Sequence, residues 1–147
     1  MKVTQVLDFF CDFYKDFDRQ AAEQMLAQLH IAPNQVLKQM SKGTKEKVQL
    51  ILAMSRKAKL YLLDEPIGGV DPATRDYILH TILTNYNPDA AVVISTHLIG
   101  DVEQVLDEVV FLNRGQIALH DSCENIREQQ GKSIDGLFRE VFKCWEN

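Results

Sequence analysis

Leu60-Tyr61-Leu62-Leu63-Asp64-Glu65-Pro66 and Ala91-Val92-Val93-Ile94-Ser95-Thr96-His97 are the two stretches that decide the fold. Each opens on a continuous apolar run and closes on polar residues. Such a run, rather than an alternating one, predicts a strand buried on both faces of a parallel sheet. Between them, Asp71-Pro72 predicts a helix start, with a capping carboxylate and a proline at the first helical position. Ile78, Ile82 and Leu83 follow at helical spacing. Strand, helix and strand in this order place the chain in the α/β class. Asp64, Glu65 and His97 then stand at the carboxyl edge of a sheet, where α/β folds bind ligands.

Working upstream, Val6, Leu7, Phe10, Phe13, Tyr14 and Phe17 recur at three- and four-residue steps, which predicts a helix. Asp18 is positioned to cap a second helix carrying Ala22, Met25, Leu26 and Leu29, and Pro33-Asn34 breaks the pattern. A third helix is expected over 44–56, with Val48, Ile51 and Leu52 on one side. Downstream, a helix is expected through Val102 and Val105. A hairpin follows over 109–119, turning at Asn113-Arg114-Gly115. Two helices close the chain, one begun by Asp121 or Ser122, the other by Ser133 with Ile134, Leu137, Phe138, Val141 and Phe142 inward.

The chain has 147 residues, 46% hydrophobic and 25% charged, a mix that suits one soluble globular unit. A formal charge of -5 gives no general basic field for nucleic acid, although Lys42, Lys45, Lys47 and Arg56, Lys57, Lys59 cluster locally. No apolar run approaches the roughly 18 residues that span a bilayer, and the first ten residues lack the features of a signal peptide. Cys11, Cys123 and Cys144 are widely and irregularly spaced, which suggests neither a disulfide framework nor a zinc site and fits a reducing cytosol. With no repeat or linker, a single domain is expected.

Three pieces carry chemistry. A carboxylate at the end of a buried strand can hold a magnesium ion through water, and a second can orient or deprotonate an attacking water. Asp64 and Glu65 fit those roles, and equally a solvated, helix-capping pair. His97 could bond a terminal phosphate or its attacking water, or be an ordinary loop histidine. Met40-Ser41-Lys42-Gly43-Thr44 places a hydroxyl and free amides at a positive helix end, an anion site or a simple N-cap.

Order and spacing of the pieces point further. The succession resembles the nucleotide-binding domain of ABC transporters over nearly the whole chain. MSKGT resembles the LSGGQ signature, LYLLDEP the Walker B strand with its glutamate, GGVD with Pro72 the D-loop, VVISTH the switch-histidine segment, and NRGQI the family's hairpin. The resemblance implies ATP and Mg2+ as cofactors, with Asp64 holding the magnesium-bound water, Glu65 acting as base and His97 touching the terminal phosphate. Ser41, Gly43 and Thr44 would contact nucleotide held by a second ATPase subunit in a homo- or heterodimer, and Asp71 would cross that interface. Lys42 stands where glycine is usual, a style similar to bacterial exporter-type members. Thr44 stands where glutamine is usual, and Ile67 where threonine is common.

The implied fold is a partial P-loop NTPase fold: a mostly parallel sheet with a helical subdomain, lacking the N-terminal strands and phosphate loop. Residues 1–57 would form the helical subdomain and signature helix, 58–121 the Walker B, D-loop and switch core, and 122–147 the C-terminal helices. The aromatic that stacks on adenine, the GxxxxGK[ST] loop (Walker A) and the glutamine loop are not found in these 147 residues. Gly131-Lys132-Ser133 has no glycine five residues before it and falls between helices rather than after a strand.

The expected function is an ATP-hydrolysing part of an ABC transporter, peripheral on the cytoplasmic face of the membrane. Its partners would be a transmembrane permease subunit, contacted by residues 3–39, and the missing N-terminal half with Walker A. Two other readings use the same residues: the C-terminal lobe of a chromosome or DNA-repair ATPase, and a non-catalytic docking or dimerisation remnant. The first would follow a long coiled coil, and the two short helices here lack sustained heptads.

Overall fold

The apolar steps at the start of the chain wind as α1 (Val3–Phe13), which buries Val3, Val6 and Leu7. Asp18 accepts from the Ala21 amide and starts α2 (Arg19–Gln28), where Ala22, Met25 and Leu26 are buried. A single 3-10 turn (Leu37–Gln39) leads to α3 (Lys42–Met54). Val48, Ile51 and Leu52 of α3 join the cluster formed by α1 and α2. Leu50 and Met54, one turn apart on another face, are also buried, and α3 packs on α4 as well as α2. This helix therefore carries apolar residues on two sides because it has neighbours on two sides.

The end of α3 is fastened to the α1–α2 connection. Arg56 forks onto Asp16 at 2.9 and 3.1 Å and stacks on the Tyr14 ring at 4.0 Å. The Asp18 amide donates to Ser55 O at 2.7 Å. A planar guanidinium serves both the bidentate pair and the ring, which lysine could not do.

The computed structural model describes residues 1–143. The chain divides into two compact units, Met1–Thr96 and His97–Asn147. The division falls where the chain leaves one sheet and enters a segment with its own sheet and hydrophobic cluster.

In the first unit, β1 (Leu60–Asp64) and β2 (Ala91–Ser95) pair in parallel, joined by α4 (Pro72–Asn85). The strands are not buried on both faces. Tyr61 is buried, but Leu60 and Leu62 are 51% and 71% exposed and Val93 is 52% exposed. Continuous apolarity here marks two apolar faces, of which these residues cover one. Leu83, expected inward on α4, is exposed, while Thr74 and Thr81 are buried with Ile78 and Ile82. The Thr81 hydroxyl donates to Tyr77 O, which lets it occupy an apolar face.

In the second unit, α5 (Ile99–Val102) ends before Val105. Next come β3 (Glu108–Asn113) and β4 (Gln116–Ser122), an antiparallel pair. Arg114 and Gly115 have φ of 48 and 78°, the double left-handed turn that matches the twist of a tight hairpin. The hairpin is a sheet of its own, so the "mostly parallel" expectation resolves into one parallel pair and one antiparallel pair among the described residues. Ser122 caps α6 (Cys123–Gln130), and α7 (Ile134–Lys143) begins after Ser133, as the sequence predicts. The Ile134 amide donates to Glu103 at 2.8 Å, and Phe138 meets Phe111 edge-on at 5.3 Å.

The open face of the parallel pair has a consequence. Burying a leucine side chain contributes about 1.5–3 kcal/mol, most of which Leu62 forgoes. Leu62 and Val93 are direct register partners, so Leu62→Lys with Val93→Glu places opposite charges side by side on that face. The pair of changes is expected to shift the purified chain toward monomer in sedimentation velocity, with the unfolding midpoint nearly unchanged. An unaltered association state would contradict the role given to this face.

Candidate functional site

Register fixes the centre of the site. Asp64 lies opposite Ser95 at the carboxyl end of the parallel pair, and Ser95 Oγ donates to Asp64 Oδ1. The Glu65 amide donates to Ser95 O at 2.8 Å, one step past the end of β1. Glu65 itself has φ 45°, left-handed for a residue with a β-carbon, a conformation that costs on the order of 1 kcal/mol or more. It takes Glu65 out of the strand's alternation and starts the turn that the Gly68 amide closes onto Glu65 O at 3.1 Å. Fully buried Ile67 and nearly buried Val70 anchor the turn from below, and both carboxylates remain exposed. The burial of Ile67 explains an apolar residue there.

Gly69, with φ +70°, carries the chain to Asp71. Asp71 caps α4, accepting from the Thr74 amide at 3.0 Å and its hydroxyl at 2.7 Å. These bonds, with a smaller contribution from Lys47, hold its carboxyl below the ordinary value. Ser41 caps α3, accepting from the Thr44 amide at 3.2 Å, and the two hydroxyls lie 2.8 Å apart. A β-carbon on Gly43 would meet nothing within 4 Å. Glycine inside a helix is destabilising by roughly 0.5–1 kcal/mol relative to alanine, and nothing in this chain's packing requires it.

The first unit thus holds Asp64, Glu65, Asp71, Ser41, Gly43 and Thr44. Exposed His97 opens the second unit, two residues after the end of β2. Ser95 was not singled out from the sequence, although it follows from pairing the two strands end to end. Lys42 Nζ lies 3.1 Å from where a Gly69 β-carbon would sit. Cys11 and Cys123 are free thiols, and burial pushes the Cys123 pKa up. Cys144 lies outside the described residues. No group of three His, Cys, Asp or Glu side chains among the described residues could hold a metal ion.

The sequence model of the ABC transporter family matches residues 3–68. An uncharacterized ABC transporter ATP-binding protein of Bacillus subtilis, YxlF, is 32% identical over 80% of this chain and 40% of its own length. EcsA of the same organism, an ABC-type transporter ATP-binding protein, is 31% identical over 70% of this chain and 43% of its own. The solved ATP-binding subunit of an ABC transporter superposes with a TM-score of 0.81 at 24% identity, covering 97% of this chain and 62% of that one. The chain belongs to the ABC transporter ATP-binding domain family.

The fold is accordingly part of the ABC ATPase fold, and the chain spans about 40% of the length of the curated relatives it matches. The family match runs from the start of α1 to Gly68, so it contains Ser41–Thr44, Asp64 and Glu65, while Asp71 and His97 lie beyond it.

The Asp71 cap gives a pH test. A carboxyl whose pKa is lowered on folding adds stability that is complete above its unfolded value and lost as pH falls through the folded one. Asp71→Ala is therefore expected to lower the thermal midpoint at neutral pH, with the gap from wild type closing toward strongly acid pH. A gap that stays constant in melts across that range would show that the cap's charge is not involved.

Proposed function

We propose that this chain forms part of an ATP-hydrolysing subunit that powers an ABC transporter, supplying the acidic edge and the signature helix of the nucleotide site. The observation carrying this reading is the Asp64–Glu65 corner: a strand-end carboxylate oriented by Ser95, followed at once by a carboxylate turned out in a strained conformation. Asp64, with one oxygen fixed by Ser95, is suited to hold magnesium-bound water. Glu65, exposed beside it, is suited to orient or deprotonate an attacking water. When bound, magnesium neutralises charge on the β- and γ-phosphate oxygens.

The remaining roles follow the same logic. Ser41 and Gly43 offer a hydroxyl and an unobstructed backbone at the start of α3. A helix glycine with open space above it is explained by close approach of a group from outside the chain, here nucleotide on a second ATPase subunit. Thr44 has no side-chain amide and its hydroxyl already engages Ser41, so it lends the cap rather than a separate contact. Asp71 is committed to α4 in this chain, and its part in a dimer would be to fix the turn that meets the partner. His97 would meet the terminal phosphate from the end of β2.

The phosphate cradle is proposed to come from polypeptide outside these 147 residues. Gly131 ends α6 as a left-handed cap, and Lys132 pairs with Glu140, so Gly131-Lys132-Ser133 serves a helix junction. The open Leu60, Leu62 and Val93 face suits an apolar partner segment. A permease subunit would meet α1, where Phe9 and Phe13 stack on each other at 4.3 Å and are 45% and 68% exposed. Phe10 and Phe17 instead pack into the helical cluster. No helix of the described residues is long and apolar enough to cross a membrane, so the subunit would attach to the cytoplasmic face through that permease.

Backbone amides and a lysine of the phosphate loop supply most nucleotide affinity in such sites. Calorimetry of the 147 residues with ATP and magnesium is therefore expected to show binding no tighter than about millimolar, roughly 4 kcal/mol. Micromolar binding would mean that a cradle exists within this chain.

A further inference from the structure

Val6, Phe10 and Tyr14 stand four residues apart along α1 and its C-terminal cap, and Val48, Leu52 and Arg56 stand four apart along α3 and just past its end. The two rows line a furrow of about 730 Å3 between the helices. Half-buried Phe10 and Leu37 share its apolar middle with Val48 and Leu52. Its ends are unlike. At one, Arg56 stacks on the Tyr14 ring at 4.0 Å and forks onto Asp16, so the guanidinium closes the furrow with its charge already matched. At the other, the Leu37 amide donates to Met1 O at 3.1 Å, which pins the 3-10 turn and Lys38 beside the start of α1. Lys45 reaches the same end from the start of α3. Both lysines line the furrow, and neither pairs with a carboxylate among the described residues. No acidic side chain of those residues lines it, in a chain whose net charge is -5.

An apolar trough with polar groups gathered in one place has the make-up of a small-molecule site. From Val6 to Tyr14 the row spans eight residues, roughly 12 Å at the rise of an α-helix. An extended chain advances about 1.2 Å per bond, so roughly ten carbons reach from the lysines to Tyr14. We infer that the furrow between α1 and α3 binds a single-chain amphiphile with an anionic head, a medium-chain fatty-acid anion. Its carboxylate lies on Lys38 and Lys45, and its tail runs along Phe10 and Leu52 to the end closed by Tyr14 and Arg56. A cationic head would meet like charge there, and a neutral one would leave both lysines unmatched. The furrow shares no residue with the Asp64–Glu65 corner or with Ser41–Thr44, so the inference goes beyond the ATPase reading and does not rest on it.

Calorimetry of the intact 147-residue chain with decanoate, below its micelle concentration and without nucleotide, tests the site. Affinity is expected to rise about two- to fourfold per methylene up to decanoate and then to level, because further carbons pass the closed end. Decyltrimethylammonium should bind about tenfold more weakly or less, and Lys38→Gln with Lys45→Gln should weaken decanoate by about the same factor. Ala53→Trp fills the furrow and should abolish binding with circular dichroism unchanged; if that variant fails to fold, the lysine pair and the cationic analogue decide. Leu62→Lys with Val93→Glu alters the other apolar face and should leave decanoate binding within about twofold of wild type. Absence of decanoate binding, equal binding of the cationic analogue, or indifference to the lysine pair would overturn the inference. So would binding lost in the Leu62→Lys, Val93→Glu chain and kept in Ala53→Trp. A chain that ignores decanoate yet takes an acidic amphipathic peptide would give the furrow to a protein partner and equally overturn it.

Discussion

The parallel register of β1 and β2 is the constraint on which the site depends. A slip of one residue would send Asp64 to the opposite face and separate it from Ser95. With the register as it is, Ser95 bonds Asp64 through its hydroxyl and Glu65 through its carbonyl. Two successive carboxylates are thereby held at one edge by a single residue of the neighbouring strand. Parallel strands need a long crossover, and α4 supplies it. The cap at Asp71 and the packing of α3 on α4 are therefore part of what holds the acidic corner in place.

That corner is strained and exposed, which is an unfavourable combination for stability alone. Glu65 adopts a left-handed backbone although glycines stand three and four residues further on. Gly43 interrupts a helix with empty space above it, and Leu62 and Val93 leave apolar surface in water. Each departs from the best local choice for a self-sufficient chain. Such departures concentrate where a structure meets something else. Here they mark a carboxylate edge, a helix start and a sheet face, which the proposed function assigns to nucleotide at the first two and apolar polypeptide at the third.

Much of this was legible in the sequence because local signals were strong. Asp18, Ser41, Asp71 and Ser122 are short polar residues directly ahead of apolar periodic segments, and all four cap helices. Arg114-Gly115 made the hairpin readable. Burial is less legible: Leu60-Tyr61-Leu62-Leu63 has the composition of a doubly covered strand and is covered on one side. Leu83 gave way to Thr81 on α4 because a threonine that bonds its own helix can be buried. At the site, Asp64 and Glu65 stand out as types at a strand end, whereas Ser95 acts through a pairing across 31 residues, which spacing does not reveal.

The central claim is that these 147 residues hold the catalytic carboxylate of an ATPase whose phosphate cradle lies on other polypeptide. The most direct measurement is steady-state ATP hydrolysis by this chain mixed with a phosphate-loop-bearing polypeptide of the same transporter. Hydrolysis is expected only in the mixture, and Glu65→Gln should lower it on the order of a hundredfold or more. A mixture that forms one complex yet hydrolyses no ATP, or hydrolysis indifferent to Glu65→Gln, would contradict the account.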